Sequence, residues 1–60
     1  MKTRLLRKYK DNANSIFSLK ANYITNIFDT DGKDLKYEYN TSNEKITVFG
    51  DYAAIYVLYS

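Results

Sequence analysis

Two groups of charged side chains have the types and spacing that could do chemistry. The first is the acidic run Asp29-Thr30-Asp31-Gly32-Lys33-Asp34. It glances at a calcium loop but fails the pattern. An EF-hand needs oxygen ligands at positions 1, 3 and 5 with Gly at 6, whereas here Lys33 is fifth and Gly32 fourth. A hairpin turn explains the same residues better, because Asp-Gly favours the left-handed geometry of tight turns. Magnesium-assisted DNA nicking would need carboxylates to converge in space. The acids are Asp11, Asp29, Asp31, Asp34, Glu38, Glu44 and Asp51, and the sequence brings neither Asp11 nor Asp51 to another acid. There is no His and no Cys. The commonest general base, the commonest transition-metal ligands and the thiol nucleophile are therefore missing, and serine triads in their usual form with them. No catalytic residue, metal ligand or cofactor is assigned. The balance leans against an enzyme, with carboxylate–metal nicking retained as an alternative.

The second group is basic. Residues 1–10 hold Lys2, Arg4, Arg7, Lys8 and Lys10 and no acid, while the other fifty hold four Lys against seven acids, for a net charge of +2. Such asymmetry can mark a nucleic-acid contact strip. The weightier expectation is a solubilising edge strand, since charged residues blunt exposed sheet edges. If DNA is the partner, Lys2, Arg4, Arg7, Lys8 and Lys10 supply phosphate contacts, and Arg4, Lys8 and Lys10 rank first because they share one face of a strand. Lys20 joins them beside Tyr23, Tyr37 and Tyr39, which could stack unpaired bases. Packing in a core or a dimer is the weightier expectation for those tyrosines.

The elements that must position these groups read mainly as strands. Lys2–Lys10 alternates imperfectly, with Leu5, Arg7 and Tyr9 opposite Arg4, Leu6, Lys8 and Lys10; it is a first strand with a basic outer face. Asp11–Ser15 is turn chemistry. Phe17, Leu19, Ala21, Tyr23, Thr25 and Ile27 then recur at every second position, the signature of a long second strand. A helical stripe through Leu19, Tyr23, Ile24, Ile27 and Phe28 competes, but Asn, Thr, Ile and aromatic residues are mediocre helix formers. Two loops compete at the turn. A two-residue Asp31-Gly32 loop sets Asp29 against Asp34 and mixes the faces. A three-residue loop, Thr30-Asp31-Gly32, pairs Asp29 with Lys33, Ile27 with Leu35, Thr25 with Tyr37 and Tyr23 with Tyr39, and places Gly32 in a bulge; it is preferred. After a polar turn over residues 40–44, Tyr39 should oppose Ile46 and Tyr37 should oppose Val48 in a fourth strand, Lys45–Phe49. Beyond Gly50, Tyr52, Ile55, Tyr56 and Tyr59 fall at helical spacing behind Asp51 as N-cap. A short C-terminal helix is expected, with a fifth strand as the rival.

The expected fold is therefore α+β and β-dominated, a four-stranded antiparallel meander followed by a short apolar helix, in a single domain spanning residues 1–60. Sixty residues lie near the lower limit for a lone core, and without Cys no disulfide can staple it. The segment Tyr52–Tyr59 is apolar on all sides, and a chain this short has little with which to cover it. A homodimer or higher even-numbered assembly is expected through Tyr52, Ile55, Tyr56, Val57, Leu58 and Tyr59. No apolar run of about 18 residues and no signal-peptide pattern occurs, so membrane partners are not expected and the cytoplasm of a bacterial host cell is. Lys, Asn, Ile, Tyr and Phe are abundant; their codons are AT-rich, which suggests an AT-rich bacterium or its phages and plasmids.

The elements Lys2–Lys10, Ser15–Asp29, Asp34–Asn40, Lys45–Phe49 and Asp51–Tyr59 together resemble, in their order, the coactivator-type single-stranded-DNA-binding module related to the whirly proteins. That resemblance implies DNA binding and dimerisation through the C-terminal helix. In size and composition the chain also resembles phage-borne counter-defence factors such as anti-CRISPR proteins. The expected function is that of a small phage or mobile-element accessory protein that engages DNA, or a DNA-acting host defence complex, through its basic first strand. A protein–protein inhibitor acting without nucleic acid is the alternative.

Overall fold

The computed structural model describes residues 1–8 and 15–60, with only the backbone of Ser15. Among them lie six strands and no helix: Lys2–Arg7 (β1), Ser15–Ser18 (β2), Ile24–Asp29 (β3), Tyr37–Asn40 (β4), Lys45–Val48 (β5) and Ala54–Tyr59 (β6). They form two three-stranded antiparallel sheets, ordered β1-β6-β3 and β2-β5-β4. Phe17 from β2, Leu19 just beyond it, and Ile46 and Val48 from β5 meet Ile27, Ile55 and Val57 from the other sheet, and Tyr52 completes the cluster. A sheet with one apolar face must bury it against another layer, and here each sheet is the other's cover.

The turn expected over residues 11–15 lies outside the described residues, the backbone of Ser15 apart; the other two have the chemistry expected of them. At the first, Gly32 N–H donates to the Asp29 carbonyl at 3.0 Å and Asp29 N–H donates to the Lys33 carbonyl at 2.9 Å. Gly32 takes φ +86°, the left-handed bulge position of a three-residue loop. The Asp29 carboxylate accepts from the N–H groups of Asp31 and Lys33, both at 2.9 Å, so this acid ties the turn together. Phe28 bridges Asp34, and Leu35 N–H donates to the Ile27 carbonyl at 3.0 Å, which is the preferred register. At the second turn, Asn40 and Asn43 accept from the N–H groups of Ser42 and Lys45. The strands it joins pair Tyr39 with Ile46 and Tyr37 with Val48, as the apolar pattern demanded.

Three expectations are corrected. The long second strand is two strands in different sheets, joined by residues 19–23. Leu19 N–H donates to the Glu44 carbonyl on one side of this crossing, while at the other Asn22 N–H donates to the Ser60 carbonyl and Ser60 N–H donates to the Tyr23 carbonyl. The period of two therefore breaks: Tyr23 is 58% exposed, Ile24 packs against the core instead, and a bulge at Thr25 restores Ile27 to the inside. Neither Thr25–Tyr37 nor Tyr23–Tyr39 pairing forms, because β4 leaves the hairpin for the other sheet. The meander is accordingly replaced by a two-layer sandwich in which the chain changes sheets repeatedly.

The C-terminal helix is the third correction. Ala54–Tyr59 is the central strand of its sheet, paired with β1 on one side and β3 on the other. Ile55 and Val57 point into the core with no exposed surface, and Tyr56 and Leu58 face out. Over so few residues an apolar run fits a strand and a helical stripe alike, and pairing with β1 and β3 decides for the strand. The dimer expectation loses its basis here. Tyr52, Ile55 and Val57 are buried in the chain's own core, and the Tyr52 hydroxyl donates to the Val48 carbonyl at 2.7 Å.

Candidate nucleic-acid interface

β1 stands at the edge of its sheet, which leaves most of its side chains in solvent. Lys2, Arg4 and Leu6 are in register with Tyr59, Val57 and Ile55 on the core-facing side. Leu6 packs against the core, whereas Lys2 and Arg4 are exposed. Arg7 is also exposed, on the opposite face with Leu5. Lys8 behaves differently. It is half-buried, its N–H donates to the Ala53 carbonyl at 3.0 Å, and its ammonium lies 5.1 Å from the centre of the Tyr52 ring. A cation over a ring face is held by the ring quadrupole, so Lys8 belongs in part to the fold. The ranking within the strip changes accordingly: Lys2, Arg4 and Arg7 are the freely presented cations. Lys10 lies outside the described residues.

Two depressions flank the strip. An open groove of ≈ 500 Å³ runs between β1 and β2, with Arg4, Arg7 and Lys8 at its rim and Leu6 and Phe17 among its lining. At the other end of β1, Lys2 and Lys20 line a smaller depression with Asn22 and Ser60. The fold therefore brings Lys20 to the first strand although eighteen positions separate it from Lys2.

Comparison with protein-family models, curated proteins and solved structures finds no match. The site must be judged on its own chemistry.

The tyrosine platform is not where the alternation placed it. Tyr39 is a structural group: its hydroxyl donates to the Leu19 carbonyl at 2.7 Å and accepts from Ala21 N–H at 2.9 Å. The Tyr37 hydroxyl reaches the Ile24 carbonyl at 3.4 Å. Both rings pack against the core, while Tyr23 stands apart in solvent. An aromatic surface does exist, on the outer face of the other sheet. There Leu5, Tyr56 and Phe28 lie in one cross-strand row. Sequence reasoning missed it because Phe28 sat on the polar parity of an unbroken strand and Tyr56 on a helical stripe. What the alternation did not supply was the partner of Phe28, because only β6 running as a strand brings Tyr56 beside it.

The acids do not gather. Among the described residues no three of His, Cys, Asp or Glu come close enough to hold a metal ion. Asp29 caps the turn, and Asp34 accepts from the Asn26 amide at 3.2 Å. Asp11 lies outside the described residues. Among those residues no helix is long and apolar enough to cross a membrane.

Proposed function

We propose that the chain is a small binding protein that engages nucleic acid through β1, in keeping with a phage or mobile-element accessory factor acting on DNA or on a DNA-acting host defence complex. One observation supports the reading above the rest: Lys2, Arg4 and Arg7 are all exposed on an edge strand, Lys2 and Arg4 on one face and Arg7 on the other, with Lys20 folded beside Lys2. Phosphate contacts need no base-specific geometry, only cations spaced along a surface that a backbone can follow, and they release condensed counterions. β1 rises about 3.3 Å per residue, so Lys2 and Arg4, two positions apart on one face, stand about 7 Å apart along it.

Fluorescence anisotropy of labelled DNA over a range of salt tests this. Each of Lys2→Ala, Arg4→Ala and Arg7→Ala should flatten the slope of log K against log salt by about 0.7–0.9. Equal binding and equal slope in a folded triple variant would reduce the strip to a solubilising edge.

A second reading has its own observation. β1 ends its sheet, and an edge strand can accept an extended peptide by main-chain pairing. A DNA-independent inhibitor would use that edge, and its binding would survive alanine at the three cations. The carboxylate-nicking alternative has no cluster of acids among the described residues to support it.

A further inference from the structure

The two sheets meet along two seams that differ. Along one, Phe28 bridges Asp34, Leu35 N–H donates to the Ile27 carbonyl and Phe49 N–H donates to the Lys36 carbonyl. Main-chain pairing thus carries over from β3 to the chain entering β4. Along the other, β1 pairs only with β6 and β2 only with β5, and among the described residues no main-chain bond joins β1 to β2. The open groove of ≈ 500 Å³ lies in that second seam. Its deepest side chains are Leu6 and Phe17, and Leu5 and Ile16, both exposed, stand higher on its walls. Arg4, Arg7 and Lys8 line it with no acid among them. In the sequence, residues 9–14 between the two strands add one Lys and one Asp, which cancel.

We propose that this seam takes an extended acidic peptide of the pattern acid–apolar–apolar–acid, added as a strand beside β1. The proposal rests on the edge-pairing reading of β1 and gives that reading a place and a ligand chemistry. Three observations point there. First, the main chain of β1 is unpaired on its outer side, and an edge of alternating N–H and C=O groups is satisfied by another extended peptide. The sugar–phosphate backbone of DNA carries acceptors and no donors, so it would leave the carbonyls of that edge unpaired. Second, the order along the edge is Arg4, Leu5, Leu6, Arg7. Residues directly opposite each other on paired strands share a face. Two acids would meet the two arginines, and two apolar residues would meet the leucines between them. That pattern reads the same in either chain direction. Lys8 adds positive charge at the end of the groove, although its ammonium is already held over the Tyr52 ring. Third, the length fits. β1 lines the groove from Arg4 to Lys8, about 13 Å at about 3.3 Å per residue, which matches four or five extended residues. A second copy pairing through its own β1 would set arginine against arginine or leucine, and like charges across strands repel.

The test titrates the whole chain with a labelled peptide that carries glutamate–valine–valine–glutamate between neutral serines. A second peptide has glutamine in place of each glutamate, and a third is the glutamate peptide N-methylated at alternate amides. The glutamate peptide should bind about two- to thirtyfold more tightly than the glutamine peptide at low salt, the range expected of two exposed ion pairs. The gap should close as salt rises. Arg4→Ala combined with Arg7→Ala should remove the preference, with main-chain pairing still holding both peptides. A second measurement uses the wild type alone: the glutamate peptide should slow amide hydrogen exchange within Lys2–Arg7, and the N-methylated peptide should not. Slowed exchange in β1 with equal affinity for glutamate and glutamine overturns the acidic ligand and leaves the edge-pairing reading standing. Equal binding of the N-methylated peptide, or slowed exchange confined to β3 or β4, overturns both. Salt-sensitive binding of a DNA oligonucleotide with no binding of any peptide also overturns both and assigns the β1 cations to nucleic acid.

Discussion

At the scale of single residues, the polar side chains that the alternation treated as surface or core filler turn out to hold the backbone in place. Tyr39 is the clearest case, since its hydroxyl serves both Leu19 and Ala21 at the point where the chain crosses between sheets. Tyr39→Phe keeps the ring and removes both bonds. It should cost about 1–3 kcal/mol in chemical denaturation, because a part-buried carbonyl and N–H lose their partner. The left-handed positions make a second test. Gly50 has φ +119°, and a Cβ there would stand 3.3 Å from Leu35 Cδ2. Gly50→Ala should destabilise by about 1–3 kcal/mol. Glu44 has φ 55° although it is not glycine. Glu44→Gly should therefore raise stability by about 0.5–1 kcal/mol, read as a higher denaturant midpoint.

At the scale of elements, β6 decides the molecule. The helical stripe places Tyr52, Ile55, Tyr56 and Tyr59 on one face, whereas the strand places Ile55 and Val57 inside and Leu58 outside. Lysine scanning separates the two. Val57→Lys should unfold the chain, because it buries an unpaired charge in a core of few residues, while Leu58→Lys should leave the far-UV circular dichroism of a strand protein intact. β1 is the complementary element. It contributes one core residue, Leu6, and otherwise presents charge, so its cations can be replaced with little structural cost. Lys8 is the exception, and Lys8→Ala should lower stability by about 0.5–1 kcal/mol through loss of its contact with the Tyr52 ring.

At the scale of the whole molecule, two small sheets cover each other and leave two unlike outer faces. The β2-β5-β4 face carries Glu38, Asn40, Lys45 and Thr47 around exposed Ile16. The β1-β6-β3 face carries the aromatic pair and Arg7. Because the residues expected to join two copies are mostly inside one copy, the protein should run as a monomer in light scattering at about 10 μM. A dimer mass under those conditions would overturn that expectation.

The sequence by itself determined what depends on neighbours along the chain. The three-residue Asp29–Lys33 turn, the β4–β5 register and the apolar partners Ile46 and Val48 follow from turn chemistry and period-two patterning, and each involves residues close in sequence. The concentration of cations in the first strand was equally legible, since charge requires no partner to be counted. Tertiary structure decided the rest. Whether Phe17–Phe28 is one strand or two depended on the Tyr39 hydroxyl and the chain terminus capturing residues 19–23, contacts of long sequence separation that no local pattern records. Whether Tyr52–Tyr59 is helix or strand depended on β1 and β3 arriving on either side. An apolar run supplies no period of its own, so the available hydrogen-bonding edges made the choice. The same pairing put Tyr56 beside Phe28 on the outer face, while the bulge after Ile24 exchanged Tyr23 for Ile24 on the core side.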